Sequence, residues 1–240
     1  MPIYTPGKVT LAKGQPVPND PNFAFNSLLL HGDGTNGSTV ITDSSGSPKT
    51  VTVVADAKIS TAQSKFGGAS VSLDGSGDYL QAPTNPEFIL GTGDFTLETW
   101  IYPLGFASGA GNNDFAPLFD FRTQAGVAQV NVLFTFFGSS TLCLFVNGSI
   151  RITGSPISTN SWTHVALSRS SGITKLFVNG NQAGSNYSDA NNYVSSTLRL
   201  GANIGGDAFL NGYIDDLRIT KGVARYTANF TPPTLPFPDF

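Results

Sequence analysis

Leu144-Phe-Val-Asn-Gly148 and Leu176-Phe-Val-Asn-Gly180 are the stretches whose reading decides the fold. In each, an apolar strand end runs straight into Asn-Gly. That dipeptide accepts positive φ at both central positions of a two-residue turn, the strongest short-range signal for a β-hairpin. Two such signals, 32 residues apart, predict antiparallel β structure.

Working outward, strands are predicted at 25–31, 40–43, 50–55, 70–73, 79–82, 95–102, 118–122, 128–136, 141–146, 149–153, 163–168, 174–178, 198–201 and 212–220. The clearest is 95–102. Phe95, Leu97 and Ile101 point one way and Glu98, Trp100 and Tyr102 the other. Glycine-rich turns separate these runs, including Gly32-Asp-Gly-Thr-Asn-Gly37, Asp74-Gly-Ser-Gly-Asp78 and the long loop 104–116. No segment carries helical periodicity over three turns. Many short strands with turns between them predict a two-sheet sandwich.

Composition agrees. Only 12% of the 240 residues are charged, against a usual quarter, while Gly (27), Pro (15) and Phe (18) are plentiful. Disorder would need more charge and fewer apolar residues. A net charge of −3 without a basic run excludes a phosphate-tracking surface, so no nucleic-acid partner is expected. No apolar stretch reaches the length of a membrane span. The start, Met1-Pro-Ile-Tyr-Thr-Pro6, lacks a basic segment followed by an apolar one, so either a secretory signal was removed or the protein leaves its cell by another route, and Met1 favours the second. The single cysteine, Cys143, forms no intrachain disulfide and reads as a buried inert thiol.

Residues 1–24 hold Pro2, Pro6, Pro16, Pro18 and Pro21 and read as an extended N-terminal arm. The arm either lies over a partner subunit or stays flexible. Residues 25–231 read as the sandwich. Residues 232–240, with Pro232, Pro233, Pro236 and Pro238, read as an extended C-terminal tail.

Several ordered segments resemble the laminin-G-like, concanavalin-A-like lectin/glucanase superfamily. They are Ser27-Leu-Leu-Leu-His-Gly-Asp33, Gly67-Gly-Ala-Ser-Val-Ser-Leu-Asp74, Phe95-Thr-Leu-Glu-Thr-Trp-Ile101, Trp162-Thr-His-Val-Ala-Leu167, Leu176-Phe-Val-Asn-Gly180, Leu198-Arg-Leu-Gly201 and Gly212-Tyr-Ile-Asp-Asp-Leu-Arg-Ile219. The wording Ile219-Thr-Lys-Gly-Val-Ala-Arg-Tyr-Thr-Ala-Asn-Phe-Thr-Pro-Pro233 is similar to a subset found in bacteriophage and marine-bacterial proteins. The resemblance implies an all-β jelly-roll sandwich of two curved antiparallel sheets, with Trp100 and Trp162 in its core. It also implies a virion structural role, as head decoration or as a tail-fibre or appendage component. The partners expected are other virion proteins reached through the arm, further copies of the chain as a homo-oligomer, and surface polysaccharide. The alternative is a lectin module of a secreted or cell-surface adhesion protein.

Catalytic chemistry finds little support. Glycosidases need two carboxylates flanking the scissile bond. Glu87 and Glu98 are the only glutamates, and neither sits in the Glu-x-Asp-x-x-Glu pattern of the related hydrolases. His31 and His164 read as packed structural histidines, and no serine lies in a nucleophile-elbow context. Calcium is the metal to weigh, because hard cations take carboxylate and carbonyl oxygens in loops. Asp33 sits between glycines and Asp43 opens a turn. Superfamily members often join the first loop to an aspartate of the last strand through calcium, and Asp215 matches that aspartate; the other reading is that these aspartates cap turns or pair with Arg218. Sugar binding needs an aromatic platform with polar neighbours. Asn112, Asn113 and Asp114 in one loop, and Tyr187 and Tyr193 among asparagines, are the candidates, although ordinary surface turns share that composition.

Overall fold

The computed structural model describes residues 3–5, 8–10, 19–106, 115–124, 131–137 and 140–240. In chain order the strands are β1 (Ile3–Thr5), β2 (Lys8–Thr10), β3 (Asn26–Leu30), β4 (Thr52–Val54), β5 (Lys58–Ser60), β6 (Ser70–Asp74), β7 (Tyr79–Ala82), β8 (Phe95–Gly105) and β9 (Phe115–Asp120). They continue with β10 (Leu133–Phe137), β11 (Thr141–Val146), β12 (Ser149–Pro156), β13 (Thr163–Ser170), β14 (Ile173–Val178), β15 (Asn181–Ser188), β16 (Leu198–Leu200) and β17 (Asn211–Lys221). Two 3-10 turns, at Phe23–Phe25 and Pro86–Phe88, are the only helical elements among the described residues.

All pairings are antiparallel. One sheet runs β12-β11-β10-β9-β16-β7-β4, and the other runs β15-β14-β13-β8-β17-β6-β5 with β3 added beside β17. β1 and β2 pair as a separate ribbon. The hairpin signals hold. Asn147 and Gly148 have φ of 51° and 72°, and Asn179 and Gly180 have 48° and 77°. Their turns join Val146 to Ser149 across β11–β12 and Val178 to Asn181 across β14–β15.

The core fills the space between the sheets. Leu97, Ile101, Leu167, Leu217 and Ile219 face Phe119, Phe134, Phe136, Leu144 and Leu200, all buried in one cluster. Each such side chain contributes roughly 1.5–3 kcal/mol of burial. The alternation read in β8 therefore holds: its inward residues make core, and its outward residues reach the far face of the larger sheet.

That far face is partly covered by the tail. Tyr226 and Phe230 stack at 3.5 Å against the His164 and Phe177 rings. Phe230 N–H donates to Gly180 O at 2.9 Å. Phe237 is buried, donates its N–H to Asp216 Oδ2 at 2.7 Å and lies 3.8 Å from the Arg218 guanidinium. Asp20 N–H donates to Phe240 O at 3.1 Å, so residues on both sides of the sandwich meet. Residues 232–240 are extended, as their prolines require, but they pack on the sheet.

Two sequence expectations shift. Residues 40–43 make only isolated bridges, Leu30 with Asp43 and Ile41 with Val51. No strand is predicted over 181–188, yet β15 forms the edge of the larger sheet.

Candidate functional site

The outward residues of β8 and β17 assemble an aromatic row. Tyr102 is directly opposite Tyr213 in the register, and their ring centroids are 6.0 Å apart. On the other side, Trp162 lies just before β13 and packs against Tyr102 at 5.5 Å with planes tilted by 58°. All three rings are half-buried. Leu104, 45% exposed, continues the apolar strip along β8. Polar groups flank it: Ser72 is opposite Tyr213, and Lys58 is opposite Ser72. Trp162 therefore departs from the core role expected of it. Its position before the strand places the indole at the edge of the covered face.

One residue pair deeper, the face closes. Trp100 is buried, with Lys65 Nζ 3.7 Å from its ring and Phe66 edge-on at 6.0 Å. The loop carrying Lys65 and Phe66 is held by Asp215, whose Oδ2 accepts both backbone N–H groups at 2.7 and 3.0 Å.

Asp215 belongs to an acidic corner on a bulge of β17. The extra residue is Asp216, at φ +48°. Asp216 Oδ1 meets His31 Nδ1 at 2.7 Å. Asp33 lies against Gly67, where any Cβ would collide with its carboxylate. Asp33 Oδ1 and Asp215 Oδ1 are buried, and neither has a hydrogen-bond partner among the described residues. Burial, reinforced by neighbouring carboxylates, pushes Asp215 well above the usual carboxylate range and raises Asp33. Burial opposes charge on His31, but the Asp216 carboxylate prevails and raises it.

Glu98 sits at the centre of a buried ionic network. Oε1 accepts from Arg218 Nε and Nη2 at 2.9 and 2.7 Å, and Oε2 accepts from Tyr226 OH at 2.7 Å. His164 Nε2 lies 3.3 Å from Oε2. Asp20 joins through Arg218 and Arg225. Burial alone would raise Glu98, yet Arg218, His164 and Tyr226 hold it at about 2. A fully buried carboxylate held ionised by arginine at neutral pH has neither the proton of a general acid nor access to a substrate.

The sequence candidates are now placed. Asp33 and Asp215 share the acidic corner. Asp43 does not join them: Oδ1 accepts the N–H groups of Leu29 and Ser45, and Oδ2 accepts that of Lys49, so it pins a loop. Among the described residues no three His, Cys, Asp or Glu side chains group to hold a metal. Tyr193 is 2% exposed, donates its OH to Asp189 at 2.8 Å and packs edge-on against Phe95. It is core, and the asparagines around it misled the surface reading. Tyr187 is half-buried and accepts from Asn191 at 2.9 Å. Asn112, Asn113 and Asp114 lie outside the described residues. The aromatic row went unnoticed because its members are far apart in sequence. The available signal was the outward parity of Tyr102.

Residues 74–225 match the family described as the concanavalin A-like lectin/glucanases superfamily. The chain belongs to that superfamily. Compared by sequence with curated proteins, it has no match. Among solved structures it is similar to domain 4 of AbnA, a GH43 extracellular arabinanase from Geobacillus stearothermophilus, solved with arabinotriose. That likeness has TM-score 0.59 and 19% identity, over 83% of this chain and 93% of the other. It is also similar to the binding domain of botulinum neurotoxin DC in complex with SialylT, with TM-score 0.57 and 14% identity over 84% of this chain. Trypanosoma rangeli sialidase in complex with sialic acid gives TM-score 0.62 and 13% identity over 88% of this chain. The chain spans 49% of the toxin domain and 32% of the sialidase. At these identities the likeness shows the fold.

Proposed function

We propose that this lectin-like fold is a carbohydrate-binding module that holds its ligand without transforming it. The aromatic row Tyr213–Tyr102–Trp162 carries the reading. Ring faces accept the C–H faces of sugars, and the polar flank supplies partners for hydroxyls. Fold neighbours solved with arabinotriose and with SialylT support it. So does the burial of Glu98 against Arg218, which removes one of only two glutamates from hydrolysis.

The setting we propose is a bacteriophage particle, with the module as a head-decoration or tail-appendage component and a surface polysaccharide as ligand. The wording of residues 219–233 and the proline-rich arm, which suits contacts with a neighbouring virion protein or a second copy, support this. We further propose a structural calcium ion at the acidic corner. Asp33 and Asp215 would supply carboxylate oxygens and backbone carbonyls the rest, a donor set that suits a hard cation. Their partnerless oxygens support it.

A glycan array run with and without chelator tests the binding role. Binding to a defined polysaccharide class is expected, and weaker binding in chelator follows if calcium braces the corner. No binding to any glycan refutes the module reading. Co-purification with particles tests the setting, and a monomer at high concentration that never associates with capsid or tail refutes it.

A further inference from the structure

Phe25 is 49% exposed. It borders a cleft of about 460 Å³ far from the aromatic row, within the size range of small-ligand sites. Phe23, Asn26, Ser27, Ser47, Glu87 and Lys221 are among the residues that line it with Phe25. Glu87 is held in place, because Asn85 Oδ1 accepts its backbone N–H at 2.9 Å. Its carboxylate stands 2.6 Å from Lys49 Nζ. Lys221 Nζ donates to Pro86 O at 3.1 Å.

Lys49 counters the Glu87 carboxylate, while the Lys221 ammonium is held by a backbone carbonyl, and both keep hydrogen-bonding capacity. The carboxylate retains lone pairs and the ammonium retains two protons. A cleft with an open aromatic face, one fixed acceptor and one fixed donor fits a small ring that is apolar on one face and hydroxylated at its edge. A cationic ligand would meet a carboxylate already paired with Lys49. A purely apolar ligand would strand the carboxylate and the ammonium.

We propose that this cleft is a second binding site, for a single sugar residue, so that one molecule grips a polysaccharide at two points. The inference rests on the carbohydrate-binding reading. Tyr102 and Phe95, the register partners of Tyr213 and Lys221 on β8, are seven residues apart, about 23 Å at the rise of a strand. A short oligosaccharide cannot reach both sites, whereas a polymer or two neighbouring chains can, and the second contact then gains from effective concentration.

The test uses the full chain with methyl glycosides of glucose, galactose, mannose, arabinose and N-acetylglucosamine, read by aromatic carbon–proton NMR. One of them is expected to shift the Phe25 ring signals in the wild type. Lys221→Met should abolish that response and leave shifts at Tyr102 and Tyr213 intact; Phe25→Ala removes the reporting ring and is read on polysaccharide. On polysaccharides retained by the wild type, both variants should still bind but lose cross-linking, read as turbidity, and bind at least tenfold more weakly. Two folded variants that cross-link like the wild type overturn the second site while the aromatic row stands. Shifts confined to Tyr102, Tyr213 and Trp162 do the same. Silence at both places overturns the carbohydrate reading itself.

Discussion

Replacing Glu98 by Gln should cost most of the stability supplied by the buried network. The carboxyl is held at about 2 against an ordinary 4.5. At ~1.4 kcal/mol per unit, that difference contributes roughly 3 kcal/mol. Because the folded value is depressed, the contribution is complete above pH 4.5 and disappears as pH falls from 4.5 toward 2. Gln keeps the shape and can still accept from Tyr226, but it cannot neutralise Arg218, which retains only Asp20 at 3.2 Å. For a chain of this size, the loss corresponds to a Tm lower by roughly 6–12 °C. Urea unfolding followed by the fluorescence of Trp100, which packs against His164 at 5.2 Å, measures it directly. The gap between wild type and Glu98→Gln should be about 3 kcal/mol at pH 7 and shrink below pH 4.5. A gap under about 1 kcal/mol at pH 7, or one that stays constant down to pH 2, would refute the reasoning.

Three further outcomes are expected. Gly180→Ala should destabilise by about 2 kcal/mol more than Gly37→Ala, since a Cβ at Gly180 would collide with Phe230 O whereas Gly37 faces open space, and both have positive φ; equal thermal shifts would contradict this. Phe237→Ala should cost roughly 3–5 kcal/mol and speed amide exchange at residue 230, because that ring is buried under Arg218; an unchanged Tm would mean that the tail is not part of the domain. Burial pushes the Cys143 thiol up to about 12, so iodoacetamide at about pH 8 should label it only after unfolding, and rapid labelling of the native protein would contradict its placement.

Much of the fold was legible because its signals are local. Asn147-Gly148 and Asn179-Gly180 dictate their turns through backbone conformation alone. The parity of Phe95, Leu97 and Ile101 against Glu98, Trp100 and Tyr102 assigns the faces of β8 without any knowledge of its neighbours. β15 escaped because an edge strand with most residues exposed carries no apolar alternation. The role of the tail was hidden for a different reason. Prolines announce extended chain, but only Asp216, Arg218 and the His164 face, all distant in sequence, decide that it packs.

Site residues divide in the same way. The fold brings Asp33 and Asp215 to one corner, while Asp43 has both of its oxygens claimed by backbone N–H groups elsewhere. Tyr193 lies among asparagines, yet Asp189 and Phe95 draw it inward. Tyr213, Tyr102 and Trp162 meet only because β17, β8 and β13 are neighbours. Cross-strand adjacency of that kind appears once register is known.

Affinity electrophoresis of wild type and Tyr102→Ala through gels containing the best array polysaccharide, with reducing ends assayed in parallel, tests the central claim most directly. The account predicts retarded wild type, freely migrating but cooperatively folded Tyr102→Ala, and no new reducing ends. Equal retardation of the two proteins, or release of reducing ends by the wild type, would contradict it.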